Sequence, residues 1–148
     1  MVMHQDFKEL LMLLNENKVE YLVVGSFALA FHGSPRNTGD IDIWINISQE
    51  NAKRMTNCLT EFGVDSLGYK EKDFLDEDTV IQIGVPPVRL DILTSIIGVE
   101  FKHAFLNKET ILIDCVEVNY ISKNDFIKNK KASGRLKDLA DIEAITEK

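Results

Sequence analysis

The run Asp40-Ile41-Asp42-Ile43-Trp44-Ile45 constrains this chain more than any other feature. Acid alternating with isoleucine is a strand pattern, because successive side chains on a strand point to opposite faces. Asp40 and Asp42 then project from one side, while Ile41, Ile43, Ile45 and Ile47 pack on the other. Two carboxylates held a few ångströms apart repel, so one pKa rises or a cation is recruited between them. For oxygen donors that cation is Mg2+ or Mn2+. Thirteen residues separate this strand from Gly25-Ser26. There a glycine lets backbone approach a phosphate, and a helix start offers unpaired N–H groups and a serine hydroxyl. Glycine ends many strands and serine caps many helices, so this corner counts only in combination.

With 148 residues the chain is expected to form a single domain, large enough to bury a core without metal or disulfide staples. A hydrophobic fraction of 45% and a charged fraction of 28% are those of an ordinary globular protein. No apolar run reaches the length of a bilayer span, and no basic stretch leads into an apolar one at the N-terminus, so the expected setting is cytoplasmic and free of the membrane. Cys58 and Cys115 are read as buried free thiols. The net charge of −7 argues against duplex DNA as a partner. It leaves room for one nucleoside triphosphate, which a metal, a few N–H groups and one or two basic side chains can hold.

Along the chain, Phe7, Leu10, Leu11 and Leu14 recur at helical spacing and predict a first helix from about Asp6 to Asn15. Glu20 to Val24 reads as a buried strand feeding a short helix, Ser26 to Phe31, which Gly33, Ser34 and Pro35 end. Beyond the Asp40 to Ile47 strand, Ser48 is placed to cap a helix with Ala52, Met55, Leu59 and Phe62 on one face, and Gly63 closes it. Asp65 to Asp78 reads as a solvated excursion without calcium-loop spacing. Strands follow at Val80 to Gly84 and Val88 to Thr94, separated by Pro86-Pro87. A helix near Phe101 to Leu106, strands at Ile111 to Asp114 and Val116 to Tyr120, and two helices starting near Ser122 and Arg135 complete the chain. The fold class is α/β (α+β), with a mixed central sheet flanked by helices.

On the strand Val88 to Thr94, alternation groups Arg89, Asp91 and Leu93. If that strand lies beside the Asp40 strand, Asp91 faces the same pocket. Three carboxylates then suit two divalent ions about 4 Å apart and an in-line displacement at phosphorus.

Together these residues resemble the nucleotidyltransferase superfamily related to DNA polymerase beta, whose signature is a Gly-Gly or Gly-Ser corner, an Asp-x-Asp strand and a third Asp on a later strand. Arg36-Asn37-Thr38-Gly39-Asp40-Ile41-Asp42 is similar to the form found in bacterial minimal nucleotidyltransferases, including AbiEii-type proteins, and Lys130, Gly134-Arg135, Lys137-Asp138 and Asp141 resemble their closing motif. The resemblance runs from Tyr21 to Ile145. It implies that Asp40, Asp42 and Asp91 are catalytic and hold the metal, with Asp91 also helping to deprotonate an acceptor hydroxyl. It further implies that Gly25 and Ser26 contact the β and γ phosphates, that Arg36 and Thr38 shape the preceding loop or touch phosphate, and that Lys130 approaches the nucleotide.

Several residues have plainer roles. Arg135 and Asp138 are at the spacing of a surface helical ion pair. His32 and His103 have no companion ligands and read as structural. Trp44, on the aspartate face, either stacks on a base or fills the core or rim, and the latter is expected. The favoured function is Mg2+-dependent transfer of a nucleoside monophosphate from a triphosphate to a hydroxyl on a small molecule, a protein or an RNA end. The alternative is a non-catalytic nucleotide-binding module, as in one half of a toxin and antitoxin pair. A phosphoesterase is disfavoured because no histidine lies near the acidic motifs. A partner protein or a second copy of the chain is available as a source of acceptor specificity.

Overall fold

The computed structural model describes residues 4–33, 40–85 and 88–146. Its elements are α1 (Gln5–Glu16), β1 (Tyr21–Val24), α2 (Gly25–Phe31), β2 (Asp40–Ile45), α3 (Gln49–Phe62), β3 (Val80–Val85), β4 (Val88–Leu93), α4 (Phe101–Leu106), β5 (Glu109–Ile113), β6 (Val116–Tyr120), α5 (Lys123–Ser133) and α6 (Leu136–Thr146). Among the described residues the six strands form one mixed sheet in the order β3-β4-β2-β1-β6-β5. β1 and β2 run antiparallel, whereas β2 with β4 and β1 with β6 run parallel.

The centre of the sheet is its most apolar part. All four residues of β1 are buried, as are Ile41, Ile43 and Ile45 of β2. α1 buries Phe7, Leu10, Leu11 and Leu14, its 3.6-period stripe, and packs on α3 and β6. α3 begins at Ser48, whose Oγ accepts from the Asn51 N–H at 3.0 Å. It ends at Gly63, which adopts the left-handed conformation with φ +90°.

Asn51, in the first turn of α3, is 1% exposed and ties three elements together. Its Oδ1 accepts from the Glu20 N–H at 2.8 Å, and its Nδ2 donates to the carbonyls of Glu20 at 3.1 Å and Asn46 at 2.8 Å. These are backbone groups just before β1 and just after β2, where the Glu20 carbonyl also accepts from the Asn46 N–H at 3.2 Å. Asn51→Leu removes all three bonds from half-buried backbone groups, and a loss of about 1–3 kcal/mol in urea unfolding is expected. A change below ~0.5 kcal/mol would show that the three bonds are dispensable.

Several boundaries and environments differ from the sequence reading. β2 stops at Ile45, before Ile47, and β5 runs from Glu109 to Ile113. Asp65 to Asp78 is only partly solvated: it holds two single 3-10 turns, and Phe74 in the second is fully buried against α3. One buried aromatic pins a stretch that composition alone assigns to solvent. Cys58 is buried as expected, but Cys115 is exposed. It occupies the tight β5–β6 turn with Asp114, both at positive φ, and that turn holds its side chain off the core. Pro86 and Pro87 lie outside the described residues. Among the described residues no helix is long and apolar enough to cross a membrane.

Candidate functional site

The register of the sheet centre assembles the acidic cluster. β2 and β4 are parallel neighbours that pair Asp40 with Arg89 and Asp42 with Asp91. Residues in register on adjacent strands share a face, so the three aspartates and Arg89 project to the same side. Carboxylate oxygens of Asp40, Asp42 and Asp91 lie within 4.8 Å of one another. Trp44, next along that face, is 1% exposed and meets Phe101 of α4 edge-to-face, with ring centroids 5.0 Å apart. It is a core residue, as expected, and closes one end of the cluster.

Arg89 supplies the positive charge that the cluster contains. Its Nε donates to Asp91 Oδ1 at 3.1 Å, and its Nη2 donates to Asp91 Oδ2 at 3.0 Å and to Asp40 Oδ2 at 3.1 Å. Asp42 carries the remaining strain. Burial, followed by repulsion from Asp40 and Asp91, pushes its carboxyl up to about 7, and Arg89 offsets only part of this. Three carboxylates against one guanidinium leave a deficit of positive charge that hard oxygen donors at this spacing would meet with Mg2+ or Mn2+.

Gly25 sits directly against Asp42. β1 pairs antiparallel with β2 so that Val24 lies opposite Asp42, and the chain turns at Gly25 with φ +67° into α2. A Cβ at position 25 would fall 2.0 Å from Asp42 Oδ2 and 2.9 Å from its Cγ. Glycine is therefore required twice here, for the left-handed backbone and for the space that Asp42 fills. Ser26 follows at the rim.

A cleft of about 210 Å³ opens beside this corner, lined by Gly25, Ser26, Asp40 and Asp42 on one side and by Lys130, Arg135, Lys137 and Asp138 on the other. Its size suits the phosphate end of a nucleotide, since sites that enclose a whole ligand of drug size measure roughly 300–1,000 Å³. The basic wall is organised by Asp138, which is fully buried. Arg135 donates from Nε at 2.8 Å, Lys130 Nζ donates at 3.4 Å, and the Ser133 hydroxyl also donates to this carboxylate. Arg135, with help from Ser133 and Lys130, holds the Asp138 carboxyl well below the usual range.

The Arg135–Asp138 pair forms at the expected spacing with an exposed Arg135, but its carboxylate is buried. The turn between α5 and α6 folds Lys130 onto the same carboxylate, which spacing along one helix does not reveal. Lys130 is correspondingly no free surface lysine, its side chain being 16% exposed.

Of the residues singled out from the sequence, the fold brings Asp40, Asp42, Asp91, Gly25, Ser26 and Lys130 to this region. Arg36 and Thr38 lie outside the described residues. His32 is held by the Ile121 carbonyl at 2.8 Å and by Glu109 at 3.6 Å, and exposed His103 contacts Asn107. Both stand apart from the cluster, as expected. Sequence reasoning assigned no role to Arg89, although alternation had already set it on the Asp91 face. It also passed over Asp141 as a wall residue; Asp141 is three positions beyond Asp138 on α6, buried, and part of the cleft lining.

No curated protein matches the chain. Among solved structures, an antigenic nucleotidyltransferase-like protein from Paracoccidioides brasiliensis superposes with a TM-score of 0.53 at 14% identity, over 96% of this chain and 75% of that one. At that identity the likeness concerns the fold, and it is a nucleotidyltransferase-like fold. The profile of a family described as "Nucleotidyl transferase of unknown function (DUF2204)" matches residues 3–148, so the chain belongs to that family of nucleotidyl transferases.

Proposed function

We propose that this protein is an active, divalent-metal-dependent nucleotidyltransferase that moves a nucleoside monophosphate from a triphosphate to a hydroxyl acceptor and releases pyrophosphate. The observation that carries this reading is the meeting of Asp40, Asp42 and Asp91 from two adjacent strands, with Asp40 and Asp42 lining a cleft that Lys130 and Arg135 also line. Asp40 and Asp42 suit the metal, and Lys130, Arg135 and Lys137 the phosphates, of a metal-chelated triphosphate, whose metal and phosphates bear opposite charge.

Asp40, Asp42 and Asp91 would hold Mg2+ or Mn2+. Such ions lower the pKa of an attacking hydroxyl, neutralise charge at phosphorus and orient pyrophosphate for departure. The remaining work belongs to the chain. Gly25 and Ser26 offer backbone N–H groups and a hydroxyl to the outer phosphates. Lys130 and Arg135, preset by Asp138, meet the triphosphate from the opposite wall. Asp91 accepts the proton of the acceptor hydroxyl. Arg36 and Thr38 retain the role implied by the resemblance, shaping the loop or touching phosphate; that resemblance extends to AbiEii-type proteins, and a place in a toxin and antitoxin pair goes with the non-catalytic alternative. The single sheet linking residues from both ends of the chain supports one catalytic domain, with acceptor specificity supplied by the C-terminal helices, a partner protein or a second copy.

Two measurements test the reading. Wild-type protein incubated with Mg2+, each nucleoside triphosphate and fractionated cell extract should release pyrophosphate and label an acceptor. Asp91→Asn should retain triphosphate binding in a thermal-shift titration yet lose transfer by about a hundredfold or more, the usual contribution of a positioned base. Equal loss of binding and transfer would contradict the role given to Asp91. Metal-dependent binding with no pyrophosphate from any acceptor would favour a regulatory nucleotide-binding module.

A further inference from the structure

Resting on the reading of the acidic trio as a metal site, we propose that Arg89 is a resident counter-ion that holds Asp40 and Asp91 together without metal and competes with divalent cations for them. Arg89 makes a two-pronged bridge to both oxygens of Asp91, at 3.1 and 3.0 Å, and the same Nη2 reaches Asp40 Oδ2 at 3.1 Å. Paired, planar contacts of this kind are among the strongest charge-assisted hydrogen bonds. They are also partly sheltered, since the Arg89 side chain is 31% exposed and that of Asp91 is 8% exposed.

The strand geometry makes the arrangement obligatory. Arg89 is two residues from Asp91 on β4 and in register with Asp40 on β2, so its guanidinium shares the face the carboxylates occupy. Among the described residues its hydrogen bonds go to Asp40 and Asp91 and leave Asp42 aside. A single positive charge is therefore hydrogen-bonded to two of the three acids and acts on Asp42 only through space. A divalent ion drawn to the same oxygens meets that charge at contact range and takes over acceptor positions that Arg89 now fills.

This role makes a prediction that a purely structural brace does not. Taking away the guanidinium should weaken the metal-free protein and strengthen its hold on metal, two effects of opposite sign. A brace that merely shapes the site would weaken both. Arg89→Gln keeps polarity and much of the length while removing the charge. Arg89→Lys keeps the charge, but one ammonium point cannot grip Asp91 at two oxygens and reach Asp40 as well.

The test is calorimetric titration of the full chain with Mn2+ alone, alongside melting in EDTA, for wild type, Asp42→Asn, Arg89→Gln and Arg89→Lys. Arg89→Gln should melt lower in EDTA yet bind Mn2+ on the order of tenfold more tightly, the effect of removing one like charge at this range in a half-screened setting. Arg89→Lys should tighten binding by about threefold because the two-oxygen grip on Asp91 is lost, and it carries the test alone if Arg89→Gln does not fold. Mn2+ binding by the Arg89 variants that is unchanged or weaker, together with loss of binding in Asp42→Asn, overturns the counter-ion role and leaves the metal site standing. Wild-type protein that fails to bind Mn2+, or that binds it independently of Asp42, removes the metal reading and this inference together.

Discussion

Asp42→Asn is expected to give a protein that, without metal, melts higher than wild type at pH 8 and has lost metal-dependent nucleotide binding. The first half follows from the raised Asp42 carboxyl, lifted from 3.8 to about 7 by burial and by its acidic neighbours. A group that holds its proton more tightly when folded contributes stability that is fully present below its unfolded pKa. That contribution is lost as pH rises through the folded value. For Asp42 the loss falls between about pH 4 and pH 7, and by pH 8 it is complete at a cost of about 2–4 kcal/mol.

Asparagine cannot ionise, so the variant escapes this loss while keeping nearly the same shape. Its advantage at pH 8 should be roughly 5 °C or more in melting temperature, and it should vanish near pH 4. Comparing variant with wild type across that window isolates Asp42 from other titrating carboxylates. The second half follows from the same charge, because the negative carboxylate that destabilises the empty site is what a divalent ion needs. With Mg2+ and a triphosphate the wild type should gain stability and the variant should not. An Asp42→Asn protein that melts lower at pH 8, or that keeps metal-dependent stabilisation by nucleotide, contradicts the assignment.

Gly25→Ala should be the most damaging small substitution in the chain. The new Cβ would sit 2.0 Å from Asp42 Oδ2, far inside contact distance, on a backbone held at φ +67°. Left-handed φ strains any residue with a Cβ, and the overlap must push either the β1–α2 corner or the Asp42 side chain aside. Both are fixed by the centre of the sheet. A loss of about 3–5 kcal/mol is expected by chemical denaturation, with metal and nucleotide binding abolished in whatever protein remains folded.

The overlap is specific to one side chain, which permits a sharper measurement. In a double-mutant cycle with Asp42→Ala the steric part of the cost should disappear, leaving about 1 kcal/mol for the backbone conformation. Additive losses would mean that the damage arises elsewhere in α2. The result also separates two reasons for a glycine at this corner. Close approach to a phosphate requires the glycine only when substrate is present, whereas the Asp42 contact requires it at all times.

Much of the fold was legible because it depends on local periodicity. The stripe of α1, the cap at Ser48, the stop at Gly63 and the alternation of β2 and β4 are short-range patterns, and each lies where the residues indicate. The failures have two causes: Phe74 depends on packing against another element, whereas Cys115 and Asp138 depend on how a turn places side chains only a few residues apart. Phe74 buries against α3 in a stretch of acidic composition, Cys115 is turned outward by a two-residue turn, and Asp138 is enclosed by residues from two helices and the link between them. Composition and helical spacing alone do not record the burial of Phe74, the outward turn of Cys115 or the addition of Lys130 and Ser133 to Asp138.

The residues themselves determined that Asp40 and Asp42 share a face, that Asp91 and Arg89 share another, and that a glycine marks the strand–helix corner, since side-chain alternation and backbone freedom are properties of single segments. Only the tertiary structure decided that β4 pairs with β2 rather than with a different strand, which makes the two faces one. It also decided that Arg89 is committed to Asp40 and Asp91, that Gly25 lies against Asp42, and that Lys130 joins Arg135 on Asp138 in the cleft lining. Charge interactions depend on distance in space, and that distance exists only once the sheet has chosen its order.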